Sequence, residues 1–181
     1  MAKIYDITKY NPSFNENLFF DNNIWVFLFC PIANIRKDKQ KVYSEFLKNA
    51  RQKRSAIFIN SLVISEFCNY WLQTEFKIWK KANIGKEDYK KDFILTNDFK
   101  NTVEEVKITL NKIFQIAEKN NDDFNAINIE NIITEFGSCD FNDSYYIELA
   151  RLKKWKIVTD DADFFKNNKS DIEIITANIP K

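Results

Sequence analysis

Histidine is absent from this 181-residue sequence, and that absence excludes more chemistry than any residue present could establish. Ser-His-Asp and Cys-His nucleophilic catalysis, histidine general bases and the usual zinc sites all need an imidazole. Glycine occurs only as Gly85 and Gly137. Neither a GxGxxG turn nor a Walker A loop can therefore be written anywhere, which excludes nucleotide cofactors held in those ways. Cys30, Cys68 and Cys139 are odd in number and isolated, so they read as small core residues rather than as a disulfide framework or a zinc knuckle. The longest apolar run, residues 24–32, falls far short of the roughly 20 residues that span a bilayer. Residues 1–11 mix charge with apolar side chains and lack the apolar centre of a secretion signal. The expectation is a soluble, cytoplasmic protein with no membrane contact.

What is present fits one domain over residues 1–181. At 45% hydrophobic and 15% aromatic residues the chain can bury an ordinary core. The net charge is +1, so attraction to nucleic acid has to come from local patches rather than from the field of the whole protein. One such run holds Arg36, Lys37, Lys39, Lys41, Lys48, Arg51, Lys53 and Arg54 against Asp38 and Glu45. It reads first as a solvated helix face, with Arg51, Lys53 and Arg54 as candidate nucleic-acid contacts.

Hydrophobic periodicity sets out alternating strands and helices. Residues 18–20 predict a buried strand, 23–30 a helix stopped by Pro31, 40–54 an amphipathic helix and 56–59 a second strand. Ser61 is expected to cap a long helix through about Trp79. Residues 82–97 read as an exposed charged connection within an elaboration at about 77–98, and helical spacing resumes over 99–117. A third strand is expected at 124–127, helices at 129–136 and 143–155, and strands at 156–159 and 173–176. This order predicts an α/β fold: a three-layer α/β/α sandwich with a central, mainly parallel twisted sheet.

The acids carry the candidate chemistry. Asp21 ends the first strand, and Asp160, Asp161 and Asp163 follow residues 157–159, so a parallel sheet brings them to one carboxyl edge, where α/β folds bind ligands. Each aspartate taken alone has a bland alternative as a helix cap. Glu66 shares a helix face with Leu62, Val63 and Tyr70, which turns it toward the core and makes it costly unless something positive neutralises it. Asp140 and Asp143 open the next helix. Asp143 shares a face with Tyr146 and Ile147 and turns inward, whereas Asp140 turns outward. Acids converging without histidine call for a hard divalent cation on oxygen ligands, magnesium or manganese, as one or two ions. Such ions suit phosphodiester hydrolysis.

The motifs Phe19-Phe20-Asp21-Asn22-Asn23, Ser65-Glu66-Phe67, Asp140-Phe141-Asn142-Asp143-Ser144 and Val158-Thr159-Asp160-Asp161-Ala162-Asp163-Phe164, in that order, resemble the PIN-domain family, which includes VapC-type toxins of toxin-antitoxin modules. The last motif is the most specific, and the resemblance runs from about Leu18 to Ala177. It implies Asp21, Glu66, Asp143 and Asp161 as catalytic and metal-binding acids, with Asp163 and Asp140 auxiliary. It also implies Asn23 as the residue that steadies the first aspartate and Thr159 as a site hydroxyl. The implied activity is a metal-dependent endoribonuclease acting on RNA, with an antitoxin protein and a second copy of the chain as candidate partners. Asn22 departs from the threonine or serine common there, and the charged middle is longer than in compact toxins.

Two other classes compete. One is a PIN-fold interaction module with weak or no catalysis. The other is an aspartyl-phosphate enzyme or receiver-like protein, against which Asp21-Asn22-Asn23 lacks the second acid of a DxD pair.

Overall fold

The structure, a computed structural model, describes residues 2–33, 37–137, 139–166 and 171–179. Six strands, β1 (Lys3–Asp6), β2 (Asn17–Phe20), β3 (Ala56–Ile59), β4 (Glu118–Lys119), β5 (Lys156–Val158) and β6 (Glu173–Thr176), form one sheet in the order β1-β6-β5-β2-β3-β4. Every pairing is parallel. Seven helices accompany them among the described residues: α1 (Asn22–Phe29), α2 (Lys37–Gln52), α3 (Ser61–Ala82), α4 (Asn97–Phe114), α5 (Ile129–Glu135), α6 (Phe141–Lys153) and the short α7 (Asp163–Lys166). None of these helices is long and apolar enough to cross a membrane.

The sheet is covered on both faces, and β2 shows why its sequence is apolar without alternation. Phe20 packs on Trp25 of α1 and Phe46 of α2, with ring centroids 5.4 and 6.1 Å away. Phe19, pointing the other way, packs on Tyr146 of α6 at 5.2 Å and stacks on Trp155 at 5.8 Å. Both rings are almost wholly buried, and burying each stabilises the fold by about 1.5–3 kcal/mol. The result is the three-layer sandwich that alternating elements predict.

After β2 the chain moves through β3 to β4 on one side, then returns with β5 on the other. The carboxyl ends of β2 and β5 therefore flank the point where the winding direction reverses, the usual position of a ligand crevice in an open parallel sheet.

Several local expectations are corrected. Residues 124–127 form no strand: Asp123 takes a left-handed φ of 52°, the Ala126 N–H donates to the Asp123 carbonyl, and Phe124 is 62% exposed. The corresponding strand is β4, two residues that pair with Phe58 and Ile59 and are too short to leave a periodic signal. Asn60, not Ser61, caps α3, accepting from the Val63 N–H at 3.0 Å. Residues 82–97 are only partly an exposed connection, since a single π-helical turn, Tyr89–Phe93, buries Phe93 fully among Phe76, Trp79 and Phe99. Helix α6 begins two residues before the expected Asp143. Strand β1, unannounced by any apolar run, is an edge strand beside β6, where the open side tolerates Lys3 and Asp6.

Candidate active site

Asp21 occupies the turn between β2 and α1, 5% exposed, and both its carboxylate oxygens are engaged. Oδ1 accepts from the Asn22 N–H at 2.6 Å, which caps α1; Oδ2 accepts from the Thr159 hydroxyl at 2.7 Å and from the Asn23 side-chain amide. The bland reading and the functional one therefore coincide at this residue, which is both a helix cap and an acid at the switch point. Asn23 also holds the next turn in place, its Oδ1 accepting from the Asp160 N–H at 3.2 Å. Thr159, fully buried, accepts from the Asp161 N–H at 3.0 Å. The ends of β2 and β5 are thus tied together by Asp21, Asn23 and Thr159.

Asp161 emerges from that tie, with its Oδ1 accepting from the Asp163 N–H at 2.9 Å. Asp160 turns away from the other acids: it pairs with Lys39 and with the Tyr43 hydroxyl on α2. Glu66, on α3, is half-buried and accepts from the Asn142 side-chain amide and, at 2.9 Å, from the Tyr146 hydroxyl, both on α6. Asp140 caps α6 by accepting from the Asp143 N–H at 2.8 Å and is exposed. Asp143, one turn in, is half-buried.

The electrostatics show which of these acids face one another. Burial, with the charges of Glu66 and Asp161 behind it, lifts the Asp21 carboxyl to about 7 against the lowering effect of its hydrogen bonds from Thr159 and Asn22. Burial is also the largest influence on Asp143, followed by the charges of Asp140, Asp21, Asp161 and Glu66, and together they raise it to about 8. Glu66 is raised by burial and by Asp140, while Asn142 and Tyr146 oppose the rise. The tyrosine proton is in turn held well above its ordinary range by burial and by Glu66. No ammonium or guanidinium is among the leading influences on any of these three acids. Like charges gathered without a counter-cation disfavour their own ionisation.

The four acids are electrostatic neighbours without forming a closed cage: among the described residues, no group of three or more His, Cys, Asp or Glu side chains is set to hold an ion as it stands. The donor chemistry nevertheless fits a hard divalent cation. It offers oxygens only, carries excess negative charge, and includes acids whose raised pKa values a bound cation would return toward the ordinary range.

The basic candidates lie elsewhere. Arg51, Lys53 and Arg54 are exposed at the end of α2 and just before β3, which puts them at the amino edge of the sheet. At about 3.3 Å per residue, β3 and its following residue separate them from the carboxyl edge by more than roughly 13 Å. Lys37, Lys39 and Lys41, at the start of the same helix, lie toward the acid edge, where Lys39 reaches Asp160. Arg36 lies outside the described residues.

Sequence reasoning assigned no site role to Asn142, Tyr146 or Tyr43. The signal for Tyr146 was available, since a tyrosine on the same inward helix face as Asp143 needs a partner for its hydroxyl when buried. Nothing local marks Tyr43, which spans α2 to the carbonyl of Thr159 at 3.1 Å and accepts from the Ala177 N–H at 3.0 Å.

Fold and site together define an α/β/α protein with a carboxylate cluster at the topological switch point of a parallel sheet. No family model matches the sequence, and no curated protein matches it. Among solved structures it is similar to the crystal structure of PAE2754 from Pyrobaculum aerophilum, at 15% identity over 95% of this chain and 90% of that one, with a TM-score of 0.46. A likeness at that level carries no argument about chemistry, which has to be read from the site itself.

Proposed function

We propose that this protein is a PIN-type, divalent-metal-dependent endoribonuclease, with Asp21, Glu66, Asp143 and Asp161 as its acids. The observation that carries the reading is the meeting of these four, from four separate elements, with the carboxyls of Asp21, Glu66 and Asp143 raised and no cation among the leading influences on those three. Magnesium or manganese, as one or two ions on Asp21, Asp143 and Asp161 with Glu66 completing the set, would supply Lewis-acid stabilisation of the phosphodiester and an activated water.

The chain's own residues prepare that site. Thr159 and Asn23 fix one oxygen of Asp21, leaving little freedom to reorganise on binding. Asn142 and Tyr146 hold the two oxygens of Glu66 apart on separate donors. The backbone of Asp163 orients Asp161. Preorganised carboxylates of this kind cost less to order around an ion or a developing charge than mobile ones do.

An aspartyl-phosphate role is less well supported. Both oxygens of Asp21 already accept hydrogen bonds, which leaves it a poor nucleophile. An interaction module with weak catalysis draws support from the lack of a closed acid cage among the described residues.

The test is cleavage of a defined panel of single-stranded RNAs in manganese. We expect cleavage that vanishes in EDTA and in Asp21→Asn or Asp161→Asn, with circular dichroism unchanged. Activity that survives exhaustive chelation, or survives in both variants, rejects the reading. Tight manganese binding without cleavage of any RNA favours the interaction module.

A further inference from the structure

A cavity of about 320 Å³ opens on the same edge of the sheet as the acids, one to two strands beyond β2. Ile59 and Asn60 at the end of β3, Ile64 of α3, Phe114 at the end of α4, and Lys119 and Asn120 at the end of β4 form its walls. Most of that wall is apolar, and Phe114 keeps 40% of its surface exposed. The Lys119 ammonium stands over the Phe114 ring, 5.8 Å from its centroid. Asn60 is 3% exposed; its Oδ1 is spent on the cap of α3, and its Nδ2 has no hydrogen-bond partner among the described residues. An unpaired buried amide is costly, and a ligand acceptor in this cavity would relieve it.

We propose that this cavity receives one base of the RNA strand, next to the phosphate held at the acids; the proposal rests on the ribonuclease reading above. An aromatic face, an adjoining ammonium and amides able to pair a base edge are the elements by which proteins hold single-stranded nucleic acid. The volume lies at the bottom of the usual range for ligand pockets, about 300–1,000 Å³, and so admits a single base. Adjacent strands are about 4.8 Å apart, which puts the ends of β3 and β4 roughly 5–10 Å to the side of Asp21, within reach of a neighbouring nucleotide. Phe114 stacks on the base, the Asn60 Nδ2 donates to its edge while Asn120, whose Nδ2 already donates to the Asn121 carbonyl and to Asp123, can offer only its Oδ1, and Lys119 meets the adjoining phosphate.

The probes are AMP, GMP, CMP and UMP, titrated in EDTA into the full chain and followed by the side-chain amide resonance of Asn60 and by calorimetry. The expected result is that one base binds in preference to the others and moves that resonance. Phe114→Ala, an exposed position, should weaken binding by about tenfold or more, the loss expected of a stacking ring. Asn60→Asp keeps the helix cap but exchanges donor for acceptor, and should change which base is preferred. Native-like melting of both variants keeps those readouts interpretable. The proposal is overturned if no monophosphate moves the Asn60 resonance, or if Phe114→Ala binds as the native chain does. Metal-dependent cleavage with no base preference beside the cut removes the base site and leaves the nuclease standing. Monophosphate binding lost in Phe114→Ala, with no RNA cleaved under any metal, removes the nuclease and leaves the base site standing.

Discussion

Replacing Asp143 by asparagine should raise the melting temperature of the metal-free protein at alkaline pH and leave it almost unchanged in acid. Asp143 is raised from an ordinary 3.8 to about 8, first by burial and then by its acidic neighbours. A carboxyl whose pKa is higher in the folded than in the unfolded chain contributes stability below about pH 4, and that contribution is lost as pH rises through about 8. At ~1.4 kcal/mol per pH unit the gap sets a ceiling of ~6 kcal/mol. Asp143 is only half-buried, so water screens most of this, and about 1–2 kcal/mol is the realistic residue. Against it stands the loss of a first-turn carboxylate from the positive end of α6, about 0.3–1 kcal/mol. A net gain of about 1 kcal/mol corresponds to a rise of roughly 2–4 °C for a chain of this size.

The assay is a pair of thermal melts in EDTA, native and Asp143→Asn, at about pH 4.5 and about pH 8, the two ends of the titration window. Magnesium at about a hundred times its dissociation constant then adds roughly 2.7 kcal/mol to the native protein if it binds only the folded state. The variant should lose most of that addition. A variant that melts below the native protein by the same amount at both pH values, and keeps the full magnesium shift, would show that Asp143 is a structural first-turn residue and that the acids do not crowd.

Further outcomes follow from the same geometry. Tyr146→Phe removes the hydroxyl that Glu66 accepts from at 2.9 Å; cleavage should fall about tenfold or more, and its acid limb should move to higher pH because the glutamate loses a donor to its charged form. An unchanged pH profile would assign Tyr146 to packing alone. Neutralising Arg51, Lys53 and Arg54 together should leave the salt dependence of RNA binding nearly intact, because these side chains stand at the far edge of the sheet; a much flatter slope would place RNA across that edge. Phe93→Ala empties the centre of the aromatic cluster around the π-helical turn, and denaturant unfolding should show a loss of about 3–5 kcal/mol. A loss below about 1 kcal/mol would mean that the elaboration folds independently of that ring.

The acids that immediately follow a buried strand were legible in the chain. An apolar stretch such as Leu18-Phe19-Phe20 is buried wherever it occurs in a parallel sheet, so the next residue, Asp21, falls at the carboxyl edge by local rule. Val158-Thr159 places Asp160 and Asp161 at the same edge by that rule, though only the structure shows that Asp160 pairs with Lys39 and Tyr43, and the alternation of such stretches with amphipathic helices was enough to specify an α/β sandwich. Strand β1 and the two-residue β4 were not legible, because an edge and a stub carry too few apolar residues to make a period. Helical periodicity turned Glu66 and Asp143 inward, but it could not say toward what. Their meeting depends on strand order, which sends the chain outward through β3 and brings it back beside β2, so that α3 and α6 converge over one edge and Asn142 and Tyr146 reach Glu66. The basic run behaved in the opposite way. Contiguous in sequence, it is divided between the two edges of the sheet, because a 16-residue helix rising about 1.5 Å per residue carries its two ends some ~24 Å apart.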